Sequence, residues 1–212
     1  MPNNTDWGQA FKPLIKKYKG KKHPLEYKNI YQLLVMVVLS AQDSDKHINS
    51  LASELFKVFP NMEALSNATP DTLFPLVGKV RNFANKTKWL SALAKQIKKD
   101  KNIPVTMEEL VALPGIGRKS ANVIMREAGA QAEGIMVDLH VVRVAQRLGI
   151  ATSADPKKIE QQMMEVIPQK DWGETGMATS FLGRETCRPS HPQHEECVMS
   201  NVCEYYKQQQ GE

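Results

Sequence analysis

Lys119 has the surroundings of a nucleophile. It follows a Leu-Pro-Gly-Ile-Gly-Arg segment and opens an apolar pattern that includes Ala121 and Ile124. A lysine in the first turn of a helix lies in the positive potential of the helix dipole, and Arg118 adds a second positive charge. Both effects favour the neutral amine, which can attack an electrophilic carbon and form a Schiff base. An ordinary solvated lysine is the alternative for this position.

Asp138 is the second residue that could take part in chemistry. It follows the apolar segment Ile135-Met136-Val137 and precedes a helical pattern that runs to Leu148. A carboxylate that emerges from a core can stabilise developing positive charge. Asp is also among the preferred N-cap residues, and a cap accounts for its position equally well. The residues around Asp138 leave both interpretations open.

The C-terminal segment carries residues that could hold a metal. The three cysteines of the chain are Cys187, Cys197 and Cys203, with His194 between the first two and His191 as a second histidine candidate. Free thiols without a metal would be an unusual use of cysteine in so short a segment, and zinc accepts Cys₃His sites. This distribution argues against a disulfide scaffold and for a reduced compartment.

The residues before Lys119 are expected to place it at the start of a helix. Residues 108–113 have helical character, Pro114 stops them, and Gly115 and Gly117 allow positive φ in a tight turn. Backbone N–H groups at such a helix start suit a phosphate. A dinucleotide-binding loop is a poor alternative, because a helix precedes the glycines and the third glycine is missing. A packing hairpin without a ligand is the other alternative.

The remaining pattern predicts an all-α protein. Residues 30–41 are apolar on every side, which is typical of a helix in the middle of a core. A lone strand-like segment at residues 135–137 has no partner with which to pair. Further helical signals are the periodicity at residues 51–59, 83–97 and 142–148, the Pro70-Asp71 pair, and Asp155-Pro156 as an N-cap followed by proline.

The composition is that of a globular protein with a modest basic excess. Of the 212 residues, 42% are hydrophobic and 24% are charged, which argues against a disordered chain. The net charge of +5 favours a polyanionic partner, although the lysine clusters at residues 16–22 and 98–101 can also be solvated faces. We find no apolar run long enough for a bilayer and no signal-peptide core. These features predict a cytoplasmic protein with no membrane partner.

Four motifs together resemble the endonuclease III-like family of helix-hairpin-helix (HhH-GPD) DNA glycosylases. They are LPGIGRKSANVI, VDLHVVRV, LLVMVVLSAQDSD and GRETC. The resemblance implies two helical domains that flank a DNA-binding cleft. One would span residues 26–133, with the hairpin at about residues 107–128. The other would combine residues 1–25 with residues 134–212 and would carry a C-terminal iron–sulfur cluster loop at residues 187–203.

The resemblance also implies a DNA glycosylase with AP lyase activity in base excision repair. Its partner would be double-stranded DNA with a damaged base, by default an oxidised pyrimidine, or an abasic site, bound by a monomer associated with the nucleoid. The base would be flipped out, Lys119 would attack the sugar C1′, and Asp138 would assist. The DNA-contacting residues would be Gln42, Asn82, Gly115, Gly117 and Arg118. A monofunctional glycosylase of altered lesion specificity and a catalytically silent DNA-damage-binding protein are the alternatives.

The sequence departs from the family pattern at three places. A [4Fe–4S] cluster in this family is held by the pattern C-x6-C-x2-C-x5-C, in which His194 here replaces the second cysteine. Cys₃His ligation of the cluster, zinc, a non-protein fourth ligand and no metal are the open possibilities. Asn82 lies where an apolar wedge is usual, with Phe83 as a possible substitute. Leu139 takes the place of a threonine beside Asp138.

Overall fold

The structure is a computed structural model that describes residues 5–211. Over this range the regular elements are α-helices and short 3₁₀ turns, without a β-strand, so the predicted all-α class is confirmed. None of the helices within residues 5–211 is long and apolar enough to cross a membrane. The chain forms two compact units. Residues 22–130 are called the hairpin unit; the residues up to 21 and those from 131 onward are called the cysteine unit.

The hairpin unit is built around one largely buried helix. After α1 (Trp7–Tyr18), which belongs to the cysteine unit, its helices are α2 (Ile30–Ser40), α3 (Asp45–Val58), α4 (Met62–Ser66), α5 (Pro70–Val77), α6 (Phe83–Ile97), α7 (Met107–Val111) and α8 (Arg118–Glu127), with a 3₁₀ turn at Asp100–Asn102. Every residue of α2 from Leu33 to Leu39 is buried. The helix packs against α3, α6 and α8. The predicted central core helix is therefore confirmed.

The cysteine unit is organised around a helix of 14 residues that packs against two others. Besides α1 it contains α9 (Leu139–Leu148), α10 (Pro156–Val166), α11 (Trp172–Glu185) and α12 (Glu204–Gln210), with 3₁₀ turns at Gln169–Asp171 and Ser200–Val202. Helix α11 packs against α9 and α1. Gly183 permits a close approach to α9, because a Cβ at Gly183 would lie 2.9 Å from the Cβ of His140.

Several helix starts follow from local sequence signals. Helix α5 begins at Pro70, where Thr69 and Thr72 form a capping box. Helix α10 begins at Pro156, and the Asp155 side chain accepts from the N–H of Lys157. Both predicted starts are confirmed, because caps and prolines act through residues that are neighbours in the chain.

Candidate active site

The hairpin around Lys119 consists of α7, a tight turn and α8. Ile116 is buried in the turn, and its N–H donates to the carbonyl of Leu113. Gly115 has a φ of +81°, as expected, and a Cβ there would lie 3.0 Å from the ring of Trp89. The turn thus requires glycine at this position both for its backbone conformation and for space.

Gly117, unlike Gly115, does not adopt the positive φ that glycine allows. Gly117 is the N-cap of α8, with an extended φ of −99° and ψ of 173°. Its carbonyl accepts from the N–H of Ala121, 2.9 Å away, and so starts the helical hydrogen-bond ladder. An N-cap residue normally has this extended conformation. Because Gly117 has no side chain, the backbone at the helix start is not covered by a capping group.

Lys119 lies in the first turn of α8 with its residue exposed to solvent. The opposite face of this helix is anchored in the core, where Ala121 and Ile124 are completely buried. This division follows from the amphipathic sequence of α8. The helix therefore holds Lys119 on a fixed backbone while leaving its amine accessible.

His23 is an ionisable neighbour of the hairpin. Burial lowers its pKa from 6.5 to about 4, and the positive charge of Lys119 acts in the same direction. Glu127 opposes this shift but does not overcome the burial. His23 is consequently neutral at pH 7, and its Nδ1 accepts from the N–H of Leu25 at 3.0 Å.

The lowered pKa of His23 predicts a pH-dependent stability of the protein. Because the folded state binds this proton less readily than the unfolded state, the stabilisation is present above about pH 6.5 and is lost as the pH falls towards 4. His23→Asn retains an acceptor for the N–H of Leu25 but does not titrate. We expect the wild-type melting temperature to fall more steeply between pH 7 and pH 5 than that of the variant, as measured by circular dichroism. Parallel curves would contradict this assignment.

Asp138 is held by hydrogen bonds to both of its carboxylate oxygens. Its Oδ1 accepts from the N–H groups of His140 and Val141, each at 2.9 Å, which makes Asp138 the N-cap of α9. Its Oδ2 accepts from the hydroxyl of Ser180 on α11, at 2.7 Å. The predicted cap is therefore present, and Ser180 fixes the second oxygen in addition.

The backbone before Asp138 runs through the core of the cysteine unit. Ile135, Met136 and Val137 are all buried and form no strand. Gly176 of α11 permits their close approach, since a Cβ on Gly176 would lie 2.5 Å from the carbonyl oxygen of Met136. Asp138 thus emerges from a packed segment, and Leu139 beside it is 70% exposed.

The four candidate metal ligands line one cavity in the cysteine unit. Its walls include Cys187, His194, Cys197 and Cys203, whereas His191 does not line it. The Nε2 of His194 is buried and has no hydrogen-bond partner among the described residues. An unpartnered buried nitrogen is costly unless something binds it, so this donor set fits a metal group. As the side chains stand, no three His, Cys, Asp or Glu residues within 5–211 are arranged to hold a metal ion.

Two arginines of α9 hold the backbone around Cys187. Arg143 donates to the carbonyls of Gly183, at 2.7 Å, and of Cys187, at 3.1 Å. Arg147 donates to the carbonyl of Arg188 at 2.7 Å and to the Sγ of Cys187 at 3.3 Å. These contacts attach the cysteine segment to α9, the helix that Asp138 caps.

Burial affects the ionisation of the Cys197 and Cys203 thiols. It raises the pKa of Cys197 and of Cys203 above the usual value. Thiols in this condition are protonated at neutral pH and ionise when a cation binds them. The Cys203 thiol donates to the carbonyl of Arg147, 3.4 Å away.

Comparison with known proteins identifies the family. The model of the HhH-GPD superfamily of base excision DNA repair proteins matches residues 35–169, which include the hairpin and Asp138. The chain belongs to the HhH-GPD superfamily. Endonuclease III of Synechocystis sp. is 36% identical over 192 residues, which are 90% of this chain and 88% of that protein. Endonuclease III of Bacillus subtilis is 35% identical over 183 residues, 84% of this chain and 83% of that protein.

The similarity extends to the three-dimensional structure. A trapped endonuclease III–DNA covalent intermediate matches this HhH-GPD protein with a TM-score of 0.82 at 28% identity, over 95% of this chain and 96% of that one. A non-covalent endonuclease III–DNA complex gives the same TM-score at 29% identity, over 96% of both chains. The resemblance inferred from the sequence motifs is confirmed.

Gln42 and Asn82 of this HhH-GPD protein lie in two exposed loops of the hairpin unit. Gln42 follows α2 with a φ of +59°, and Asn82 precedes α6 with a φ of +58°. Non-glycine residues in this left-handed region cost about 1–3 kcal/mol each and persist only where their surroundings enforce them. Phe83, the alternative wedge, packs edge-on against Phe74 with 5.2 Å between ring centroids.

Sequence reasoning missed the residues that hold the candidate groups in place. Ser180 binds Asp138, Arg147 binds the cysteine segment, and Lys86 binds the end of α2. Each joins elements that are distant in the chain, so no local spacing signals the contact. The only available signal is chemical, since serine, lysine and arginine on otherwise buried helix faces require partners.

Proposed function

We propose that this HhH-GPD protein is a bifunctional DNA glycosylase that also cleaves the abasic strand, with Lys119 as its nucleophile. The observation that carries the proposal is the exposed position of Lys119 in the first turn of α8, directly after the hairpin turn. The trapped covalent intermediate of endonuclease III provides support, because it matches this chain over 95% of its length. A covalent intermediate with DNA requires a nucleophile of this kind.

The chemistry of Lys119 begins with its neutral amine. The nitrogen lone pair attacks the sugar C1′, the C1′–N bond to the base breaks, and the base leaves with a proton. Opening of the sugar ring then yields a Schiff base between Lys119 and C1′. Removal of a proton from C2′ forms a C2′–C3′ double bond and expels the 3′ phosphate, which is β-elimination. The target base must leave the stack first, because the duplex hides its glycosidic bond.

Asp138 is the proposed supporting carboxylate. Positive charge develops on the sugar as the base leaves, and a carboxylate stabilises such charge. It can also move the protons that ring opening and elimination require. The hydrogen bonds from Ser180 and from the start of α9 orient this carboxylate. Asp138 can both cap α9 and take part in the reaction. Its Oδ1 accepts from the N–H groups at the helix start, while its Oδ2 accepts from the hydroxyl of Ser180.

The proposed partner is double-stranded DNA with a damaged base or an abasic site. Backbone N–H groups at Gly115, Gly117 and Arg118 would contact a phosphate at the start of α8. Gln42 would enter the space left by the extruded nucleotide, and Asn82 would contact DNA from the neighbouring loop. We propose that the protein acts as a monomer on nucleoid DNA and that an oxidised pyrimidine is its default lesion.

Borohydride trapping on abasic-site DNA tests this function. Reduction of a Schiff base leaves a covalent protein–DNA adduct, which gel electrophoresis resolves from free DNA. A monofunctional glycosylase would release a base without such an adduct, and a silent damage-binding protein would do neither. A panel of duplexes, each with one modified base, identifies the lesion.

We also propose that Cys187, His194, Cys197 and Cys203 hold a [4Fe–4S] cluster, with zinc as the alternative metal. The buried, unpartnered Nε2 of His194 and the shared cavity support this ligand set. Such a cluster would fix the C-terminal segment to α9, far in sequence from Lys119. The ring of His194 stacks on Tyr206, with 4.6 Å between centroids, which orients its nitrogen.

Replacement of His194 by cysteine should lower the reduction potential of the cluster. Imidazole is neutral where thiolate is negative, and a less negative cluster is more easily reduced. We expect about four irons per chain in anaerobically purified protein and a lower potential by voltammetry in His194→Cys. His191→Asn is the matched control, since this exposed histidine has a φ of +53° that asparagine tolerates. Stoichiometric zinc without iron, or an unchanged potential in His194→Cys, would contradict the proposal.

A further inference from the structure

Two hydrogen-bonded links join the loops that carry Gln42 and Asn82. In the first, the N–H of Arg81 donates to the Oδ2 of Asp43, 2.9 Å away. In the second, the Nζ of Lys86 donates to the carbonyls of Leu39 and Ala41, at 2.7 and 2.6 Å. Gln42 and Asn82, the two residues with a left-handed backbone, are therefore the chain neighbours of Asp43 and Arg81, which are hydrogen-bonded to each other.

Asp43 is the centre of the first link. Its other oxygen, Oδ1, accepts from the N–H of Ser44 and from the Nδ1 of His47, both at 2.8 Å. Only 11% of the Asp43 side chain is exposed. Burial raises its pKa, but the hydrogen bonds from Arg81, His47 and Ser44 outweigh this effect and leave the pKa below its usual value. The carboxylate is therefore charged at neutral pH and accepts on both sides.

Lys86 supplies the second link from a buried position. Its side chain is on α6 and only 1% of the residue is exposed. Its ammonium neutralises the carbonyl end of α2, where the helix dipole is negative. Asp43 and Lys86 thus both connect the end of α2 to the start of α6. Gln42 and Asn82 therefore have little freedom to move independently.

We propose that Asp43 is a positioning residue that couples the Gln42 loop to the Arg81–Asn82 loop, so that both enter the duplex together when a base is extruded. This inference rests on the proposed glycosylase function. A coupled pair of loops is preorganised, so the protein does not have to order them during base extrusion. Without the Asp43 carboxylate, the N–H of Arg81 loses its partner, and only the bonds from Lys86 still join the two segments.

The role of Asp43 predicts a selective defect in Asp43→Ala. We expect single-turnover release of thymine glycol, paired with adenine in a duplex, to fall about tenfold or more, because misplaced positioning groups reduce rates by up to about a hundredfold. β-Elimination at a preformed abasic site should fall less than about twofold, because no base has to be unstacked there. The ratio of the two rates is measured on one preparation, so it does not depend on the folded fraction.

A spectroscopic measurement checks the same step directly. 2-Aminopurine placed opposite thymine glycol becomes brighter when it loses its stacking partners, and saturating Asp43→Ala should produce a smaller increase than the parent protein. Asp71→Ala is the matched control, because Asp71 is an exposed aspartate at the start of α5 in the same unit. We expect the parent rate ratio and fluorescence for this control.

The outcomes separate this inference from the proposed function. If the parent protein neither cleaves nor traps abasic DNA, the proposed function is wrong. If the parent does both, but Asp43→Ala keeps the parent rate ratio and fluorescence, Asp43 does not couple the loops. An equal loss of both rates in Asp43→Ala, with a lowered melting temperature, would assign it a structural role only and would also contradict the coupling.

Discussion

Lys119→Ala is expected to abolish borohydride trapping and strand cleavage. Alanine has no amine, so no Schiff base can form and β-elimination has no covalent intermediate. Binding to abasic DNA should remain within about tenfold of the parent, since the hairpin contacts phosphate through its backbone N–H groups and loses only one charge. Gel electrophoresis of trapped adducts and a binding titration at one fixed salt concentration measure the two effects.

Lys157→Ala is the matched control for this variant. Lys157 is also an exposed lysine in the first turn of a helix, α10, in the cysteine unit. Its removal changes the net charge equally and should leave trapping intact. Trapping that persists at parent levels in Lys119→Ala would show that another amine is the nucleophile.

Asp138→Asn is expected to lose most turnover and still fold. Asparagine caps helices about as well as aspartate, so its Oδ1 can accept from the N–H groups of His140 and Val141. The Ser180 hydroxyl, which donates to Oδ2 in the parent, can accept from the amide that replaces it. Only the negative charge is lost. We expect base release to slow by about a hundredfold or more, the usual contribution of a general acid or base.

The control for Asp138→Asn is Asp155→Asn. Asp155 is the N-cap of α10 and accepts from the N–H of Lys157 at 2.8 Å, so this substitution changes a cap of the same type. We expect parent turnover and a similar melting temperature for Asp155→Asn. Base release at the parent rate in Asp138→Asn would show that Asp138 serves only as a cap.

The helices and their ends were largely predictable because their signals are local. The apolar pattern at residues 83–97 coincides with α6, and the largely apolar pattern from residue 30 coincides with α2, which is buried from Leu33 to Leu39. Prolines and capping side chains mark the starts of α5 and α10. All of these signals act between residues within a few positions of each other, where the sequence is sufficient.

The features that could not be predicted involve residues whose conformation or contacts depend on distant parts of the chain. Glycine permits many backbone conformations, so the sequence could not show that Gly115 is left-handed whereas Gly117 is an extended N-cap. The cysteine spacing favoured His194 as the fourth ligand but left His191, three residues earlier, as a substitute. The cavity in the cysteine unit is lined by His194 and not by His191.

The family and the candidate groups could be read from short motifs, because the hairpin, the Asp138 cap and the cysteine spacing are each contained in one segment. How these groups are held was not in the motifs. Ser180 on Asp138, Arg147 on the cysteine segment and Asp43 on the N–H of Arg81 are contacts between separate segments. Such hydrogen bonds form only after the helices have packed, because packing brings the partners within about 3 Å of each other and excludes the water that would otherwise bind them.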